Sequence, residues 1–260
     1  MSNQGSAGQG TGTADAVARP QYRLNRPEMQ SGPPAAEGAT LEKIIGWDVV
    51  TWSRALPLFE QALGSDMRGK KSLEIGASNG GLSLWLALKG SEVTCSFYSR
   101  DAHQAMELHD AFGVRKHVHY EHLDATRMPY RNCFDVIVLK SVIGGIGAGN
   151  RPDRQRQAIE SIRTALKDGG LFLFAENVVA TPVHTALRTI KRSDRWRYLQ
   201  VDELRSMLGR FSNLEYFTTG FFACFGRSEA QRRVLGQIDS VVCPMVPQHW
   251  RYVMIGVAAK

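Results

Sequence analysis

The feature that most constrains the fold is an alternation of short apolar runs and helical stretches through the middle of the chain. Five runs rich in apolar and β-branched residues indicate strands: Lys71–Ile75, Glu92–Phe97, His117–Leu123, Phe134–Leu139 and Leu171–Ala175. Apolar residues recur at helical spacing in three segments between them: Leu82–Leu88, Ala102–Phe112 and Arg154–Leu166. This order predicts an α/β domain on a parallel sheet. The last helix should stop at Lys167-Asp168-Gly169-Gly170, where glycine can take the left-handed conformation.

Composition separates a tail from the domain. Residues 1–39 are rich in Gly, Ala, Ser, Gln and Pro and hold too few large apolar groups to offset the entropy of ordering them. We predict a flexible tail over 1–39 and one domain over 40–260. After Asn177 we expect two helices, two strands and a long insertion around 220–248: Val183–Ile190, Asp202–Leu208, Leu214–Thr219 and Trp250–Ala258 are the regular elements.

Hydropathy, cysteine spacing and net charge limit where the protein can act and which ligands it can bind. No apolar run approaches the roughly 20 residues that span a bilayer, and the N-terminus lacks a signal-peptide pattern, so we expect a cytoplasmic protein. The four cysteines are far apart and have no zinc-ligand spacing, which predicts thiols and no metal site. The formal charge of +7 is compatible with contact to phosphates, nucleic acid or an anionic membrane face. No internal repeat is visible, which argues against solenoids and propellers.

The strongest local motif joins a strand to a helix through a glycine-rich turn. It reads Leu73-Glu74-Ile75-Gly76-Ala77-Ser78-Asn79-Gly80-Gly81-Leu82-Ser83-Leu84. Glycine lets the backbone approach a ligand closely, and the free amides at the start of the helix suit an anionic group. A turn without a ligand, or a dinucleotide site, would use similar glycines, but the dinucleotide pattern GxGxxG is absent.

The spacing from Glu74 through Gly76 to Gly80 resembles the cofactor loop of class I S-adenosylmethionine-dependent methyltransferases. The resemblance implies a Rossmann-like, seven-stranded sheet, mostly parallel with an antiparallel last strand, and helices on both faces. It also implies S-adenosyl-L-methionine as the cofactor, held by this loop through Glu74, Gly76, Ala77, Ser78 and Gly80.

Two further segments match cofactor contacts of that family. Asp124 and Ala125, after the third strand, match its adenine contact, although a lone Asp there often caps a turn. Phe97 stands where the family usually has an acid for the ribose hydroxyls. Its ring would stack near the adenosine or simply pack in the core, which leaves Ser96, Ser99 and Asp101 as ribose candidates.

Residues at the ends of the fourth and fifth strands should face the reaction. Ligands of open α/β sheets lie outside the carboxyl ends of the strands, which places Lys140, Ser141 and Val142 near both substrates and Asp135 away from them. We predict that Lys140 and Ser141 contact the cofactor. Glu176 and His184 are candidates to hold or deprotonate an acceptor hydroxyl, and Lys140 completes the predicted catalytic set. The alternative is that Glu176 caps a loop and that His184 is structural.

A narrower resemblance concerns a bacterial set of methyltransferases associated with cell-surface polysaccharide and lipopolysaccharide synthesis. It rests on the segments Trp47-Asp48-Val49, Lys140-Ser141-Val142, Ala175-Glu176-Asn177, Trp196-Arg197-Tyr198 and His249-Trp250-Arg251-Tyr252-Val253. It covers roughly residues 41–260 and implies O-methylation of a sugar or glycan-like acceptor. Another small molecule, RNA, or a binding role on the same fold remain alternatives. RNA is disfavoured because no appended RNA-binding module is recognisable.

Aromatic and basic residues complete the predicted contacts. Five aromatic residues are candidates to line the site, because aromatic faces suit a sulfonium or a sugar ring: Trp47, Trp52, Trp196, Tyr198 and Trp250. A basic stretch is a candidate for phosphate or anionic lipid, with a solvated helix face as the alternative: Arg188, Lys191, Arg192, Arg195 and Arg197. The insertion at 220–248 is expected to supply walls on the acceptor side.

Overall fold

The computed structural model describes residues 41–98, 101–185 and 195–260. The predicted tail, the ribose candidate Ser99 and three members of the basic stretch lie outside the described residues: Arg188, Lys191 and Arg192. Within the described ranges, no helix is both long enough and apolar enough to cross a membrane.

The core of the fold is a seven-stranded sheet in the order β3-β2-β1-β4-β5-β7-β6. Its strands are β1 Lys71–Ile75, β2 Glu92–Phe97, β3 Val118–His122, β4 Phe134–Lys140, β5 Leu166–Asn177, β6 Ser212–Thr219 and β7 Val253–Ala259. Strands β1 to β5 pair in parallel, whereas β7 is antiparallel to both of its neighbours. The predicted Rossmann-like architecture is therefore confirmed.

Helices cover both faces of the sheet because both faces are apolar. Successive residues of β4 point to opposite faces, and Val136 and Val138 join one buried cluster while Ile137 and Leu139 join the other. The helices are α1 Val49–Trp52, α2 Ala55–Leu63, α3 Gly81–Leu88, α4 His103–Ala111, α5 Ile143–Ile146, α6 Pro152–Ala165, α7 Val201–Met207 and α8 Glu229–Val242. None of the four cysteines forms a disulfide.

Two boundaries differ from the prediction. Helix α6 ends at Ala165 and the chain enters β5 directly, so Gly169, at φ 75°, bends the strand instead of capping the helix. The final strand begins only at Val253, because Gln248–Trp250 forms a 3-10 turn. The insertion is mainly helical, and α8 packs against α1.

Candidate active site

A cavity of about 480 Å³ opens at the carboxyl ends of β1, β2 and β4. This is the edge where α/β folds bind ligands, and the volume lies within the range of small-molecule sites, about 300–1,000 Å³. Its walls include most of the predicted cofactor residues: Glu74, Gly76, Ala77, Ser78, Phe97, Lys140 and Ser141. Its walls also include residues that are not among the predictions for the cofactor: Ile44, Ile45, Gly46, Asn79, Gly81, Leu82 and Tyr98.

The glycines of the loop between β1 and α3 are required by packing within the protein. A Cβ on Gly76, at φ 68°, would lie 2.8 Å from Val142. One on Gly80, at φ 77°, would lie 2.7 Å from the Cβ of Ala105 in α4. Gly80 does not line the cavity, and its contact with the cofactor stays a prediction.

Glu74 takes the place that was expected for an anionic ligand. Its Oε2 accepts a hydrogen bond of 2.7 Å from the amide of Ser83, in the first turn of α3. Burial raises the pKa of Glu74 to about 7, although the amides of Ser83 and Leu82 work in the opposite direction. This carboxylate therefore occupies the amide of Ser83, one of the donors at the helix N-terminus.

Two serines in the cavity wall have the left-handed backbone conformation. Ser78 has φ 53° and Ser141 has φ 55°. This conformation costs a non-glycine residue about 1–2 kcal/mol. At Ser141 two hydrogen bonds offset this cost: its amide donates to the Ala175 carbonyl, and its Oγ accepts from the Asn177 side chain at 2.7 Å. The wall is thus built from locally strained turns that the strand ends hold in place.

The side of the cavity near β2 is aromatic. Phe97 belongs to the buried core and also lines the cavity, and its stacking on an adenosine stays a prediction. Tyr98 follows Phe97 and is 58% exposed in the cavity wall. Its position directly after a parallel strand could have predicted that it lines the site. The ribose candidates are otherwise engaged, since Ser96 Oγ donates to the Glu74 carbonyl and Asp101 accepts from the His103 amide.

Asp124 and Ala125 lie outside the residues that line the cavity. Asp124 Oδ1 accepts from the amide and the hydroxyl of Thr126, at 2.9 and 2.7 Å. Partial burial opposes ionisation, but these bonds and Arg154, at 3.5 Å, hold the pKa of Asp124 below its usual value. The carboxylate therefore shapes its own turn, and contact with adenine stays a prediction.

A roof over the cavity comes from residues 44–47. Glu229 of α8 fixes the chain beyond it by accepting from the amides of Asp48 and Val49, at 2.8 and 2.9 Å. The Tyr252 hydroxyl donates to Asp48 Oδ2 at 2.5 Å. Among the described residues, none from 220–248 lines the cavity, so the insertion supports the roof rather than supplying the expected acceptor walls.

Lys140, at the end of β4, places a buried ammonium group in the cavity wall. Its Nζ lies 4.4 Å from the ring centroid of Trp47 and 5.0 Å from that of Trp52. Among the described residues Nζ has no hydrogen-bond partner. Desolvation lowers the pKa of Lys140 to about 8, against the attraction of nearby carboxylates.

Glu176 is a buried structural carboxylate. Its Oε2 accepts from the amides of Val142 and Ile143, at 2.8 and 2.7 Å, and Oε1 accepts from that of Asn177 at 3.0 Å. Burial raises its pKa to about 7. Glu176 does not line the cavity, and its carboxylate caps the start of α5, which favours the capping alternative; contact with an acceptor stays a prediction.

His184 has the contacts of a structural histidine. Its Nε2 lies 2.9 Å from the carbonyl oxygen of Phe221, and its Nδ1 lies 2.6 Å from Thr181 Oγ1. A carbonyl only accepts, so Nε2 carries the proton and Nδ1 accepts from the threonine hydroxyl. The ring is 2% exposed and stacks on Phe225. These contacts favour the structural alternative, because the lone pair that a base needs is already used, and the base role stays a prediction.

Only some of the other aromatic and basic candidates among the described residues line the cavity. Trp47 and Trp196 line the cavity, whereas Trp52 is fully buried beneath Lys140 and Trp250 lies on an exposed turn away from the walls. Arg197 forms an ion pair with Glu203 and bonds to Gln155. It is therefore a structural contact rather than a free basic group.

Comparisons with known proteins agree with this geometry. Residues 73–174 match the family described as a methyltransferase domain. The search of curated proteins found no match. Among solved structures, phosphoethanolamine N-methyltransferase 2 of Haemonchus contortus is 17% identical with a TM-score of 0.57, covering 85% of this chain and 56% of that one.

Two further structures share the fold at similar distance. A putative methyltransferase from Bacillus halodurans is 16% identical with a TM-score of 0.55, and the match covers 80% of this chain and 99% of that one. The [4+2]-cyclase SpnF is 18% identical with a TM-score of 0.53, over 78% of this chain and 80% of that one. The strand order is that of the methyltransferase fold, and within it residues 73–174 match the methyltransferase domain family.

Proposed function

We propose that this chain transfers the methyl group of S-adenosylmethionine to a hydroxyl oxygen of a sugar or glycan-like acceptor. The transferase part rests on the roofed cavity at the ends of β1 and β4, whose lining from Glu74 to Ser141 lies within the matched residues 73–174. The same fold also serves a [4+2]-cyclase, so the reaction must be argued from the site and not from the fold.

The described residues fit the cofactor. The loop over Gly76, Ala77 and Ser78 presents backbone to the cavity, and Phe97 and Tyr98 offer ring faces to an adenosine. When bound, S-adenosylmethionine supplies an electrophilic methyl group on a sulfonium sulfur. The chain contributes a strained, closely packed loop that can hold such a ligand in one orientation.

The acceptor side of the proposal rests on two indole rings. Trp47 and Trp196 line the cavity, and flat aromatic faces suit the apolar face of a sugar ring. Room for Trp196 exists only because residue 144 is glycine: a Cβ there would lie 2.0 Å from Trp196 Nε1. The glycines after β4 thus serve to place an aromatic wall.

Positioning is the contribution that these residues can make to the reaction. The ring of His184 and the carboxylate of Glu176 are committed to protein contacts, so neither is placed as a general base. Holding the acceptor oxygen in line with the methyl group replaces a bimolecular encounter, and well-oriented groups gain up to about 7–11 kcal/mol in this way. The acceptor proton would then leave to solvent late in the transfer.

The test has two stages. Calorimetry with S-adenosylhomocysteine establishes cofactor binding. Tyr98→Ala should weaken it, while Phe112→Ala, which removes a ring of 37% exposure outside the cavity, should not. Labelled S-adenosylmethionine is then offered with nucleotide sugars, lipid-linked saccharides, small phenols and RNA. Transfer to saccharides is expected. Transfer only to phenols or RNA would replace the acceptor class, and binding without any transfer would favour a binding role.

A further inference from the structure

The cavity wall contains an ammonium group whose hydrogen-bonding capacity is unused. Lys140 Nζ can donate three hydrogen bonds, yet among the described residues it has no partner. Buried charges in proteins are normally paired and hydrogen-bonded, since an unsatisfied one is costly. The two indole faces beside it stabilise a cation but accept no strong hydrogen bond.

The surrounding carboxylates keep this group charged without binding it. Glu74, Asp48, Glu229 and Glu176 all act on Lys140 electrostatically, and none forms an ion pair with it within the described residues. Glu74 and Glu176 accept hydrogen bonds from backbone amides, Asp48 from Tyr252, and Glu229 from the amides below the roof. Glu74, Glu176 and Glu229 therefore have their own donors, whereas Asp48 Oδ1 is buried and has no hydrogen-bond partner among the described residues.

A second donor without a partner lines the same cavity. Trp196 Nε1 is buried and, within the described residues, makes no hydrogen bond. It belongs to the wall beyond β4, next to Gly144. Among the described residues neither the ammonium nor the indole N–H has an acceptor. The two donors suit a ligand that carries oxygen acceptors, and the ammonium favours one with negative charge.

We propose that Lys140 Nζ, assisted by Trp196 Nε1, binds a carboxylate group of a molecule in the cavity. The inference rests on the proposed function and deepens it. At the start of α3 the amide of Ser83 already donates to Glu74, so this donor is not available to such a group. Two molecules could bring the carboxylate: the amino-acid part of S-adenosylmethionine, or an acidic acceptor such as a uronic acid.

Lys140→Met is the variant that isolates this contact, since it keeps the length of the side chain and removes the donor. The variant removes the desolvation cost of a buried ammonium that has no hydrogen-bond partner among the described residues, while Glu74 loses a nearby positive charge. Lys89→Met is the matched control: Lys89 also lies over an indole ring, 5.4 Å from that of Trp85, but outside the cavity. Lys140→Arg keeps the charge and should retain binding in part, which covers the case in which the methionine variant fails to fold.

The first arm compares two ligands that differ in the carboxylate. S-adenosylhomocysteine has the amino-acid part and 5′-methylthioadenosine lacks it. If the cofactor brings the anion, Lys140→Met should lose at least about tenfold in affinity for the former and keep its affinity for the latter. Lys89→Met should leave both affinities unchanged.

The second arm concerns the acceptor. If it brings the anion, S-adenosylhomocysteine affinity stays intact in Lys140→Met, and KM rises at least about tenfold for glucuronosides but not for matched glucosides. The proposal is overturned if Lys140→Met changes neither the ligand affinities of the first arm nor the KM values of the second. It is also overturned if the variant has a lower melting temperature and loses the same factor of affinity for both adenosine ligands. A wild-type chain that binds no S-adenosylhomocysteine would instead refute the proposed function.

Discussion

Gly81→Ala should damage the cavity by lifting its roof. Gly81 opens α3, and a Cβ there would lie 2.1 Å from the carbonyl oxygen of Ile44 and 2.6 Å from that of Lys43. Ordinary contacts begin at 3.4 Å, so the Ile44 carbonyl must retreat by about 1.3 Å in a region packed at crystal-like density. Both clashing atoms are backbone, so no rotation of a side chain relieves the overlap.

The size of the effect follows from two opposing contributions. Alanine gains about 1 kcal/mol over glycine within a helix, while overpacking typically costs about 1–3 kcal/mol. We therefore expect a small loss of unfolding free energy. Displacement of residues 44–47, which line the cavity, should lower S-adenosylhomocysteine affinity at least about tenfold, or about 1.4 kcal/mol.

Calorimetric titration with S-adenosylhomocysteine and a thermal melt by circular dichroism measure both quantities. Gly209→Ala is the control, because it makes the same change far from the cavity and its nearest atom is Ser206 O at 3.2 Å. A Gly81→Ala protein with wild-type affinity and wild-type melting temperature would refute the assignment of residues 44–47 as a roof held against α3.

Three other substitutions test the roles of individual site residues. Glu176→Gln should cost about 1–3 kcal/mol of unfolding free energy, because an amide group would face the Asn177 amide. Burial raises the pKa of Glu176 from 4.5 to about 7, so between these pH values the folded state binds a proton that the unfolded state has lost. The stability of the wild type should therefore fall as pH rises from 4.5 to about 7, and its advantage over the variant should shrink. Urea titrations at several pH values measure this difference. His184→Ala should lower the melting temperature through loss of the Phe221 contact and leave the shape of the pH–rate profile unchanged. If the acid limb of that profile disappeared in the variant, His184 would be the base. Asp124→Ala should weaken S-adenosylhomocysteine binding by about 1–3 kcal/mol, and a folded variant with native affinity by calorimetry would remove the adenine assignment.

Local patterns were sufficient wherever neighbours in sequence decide the structure. The bounds of β1 and β2 follow from apolar runs that end at polar or glycine-rich turns, and they match the observed strands. Strand β5 begins earlier than its apolar run because partners distant in sequence extend it. The amide of Gly169 donates to the Lys260 carbonyl, and the Lys260 amide donates to Gly170. A polar tetrapeptide gives no local sign of that pairing.

Contacts between residues far apart in sequence also explain why the roles of His184 and Glu176 could not be predicted. The ring of His184 is fixed by a carbonyl 37 residues away, and Glu176 by amides 33 and 34 residues away. Position at a strand end correctly indicated that Lys140 and Ser141 face the cavity, because the topology alone decides this. Which polar groups are already satisfied depends on long-range contacts, and only the assembled fold reveals it.

The support of the roof sets an order on the maturation of the cavity. Asp48 and Val49 are tied to Glu229 and Tyr252, across separations of 180 to 204 residues. A nascent chain that has emerged from the ribosome only through β5 already holds the loop after β1 and the end of β4, but neither the carboxylate nor the phenol that anchors the segment above them. During synthesis the floor of the cavity can therefore form early, whereas ligand enclosure must wait for α8 and the approach to β7.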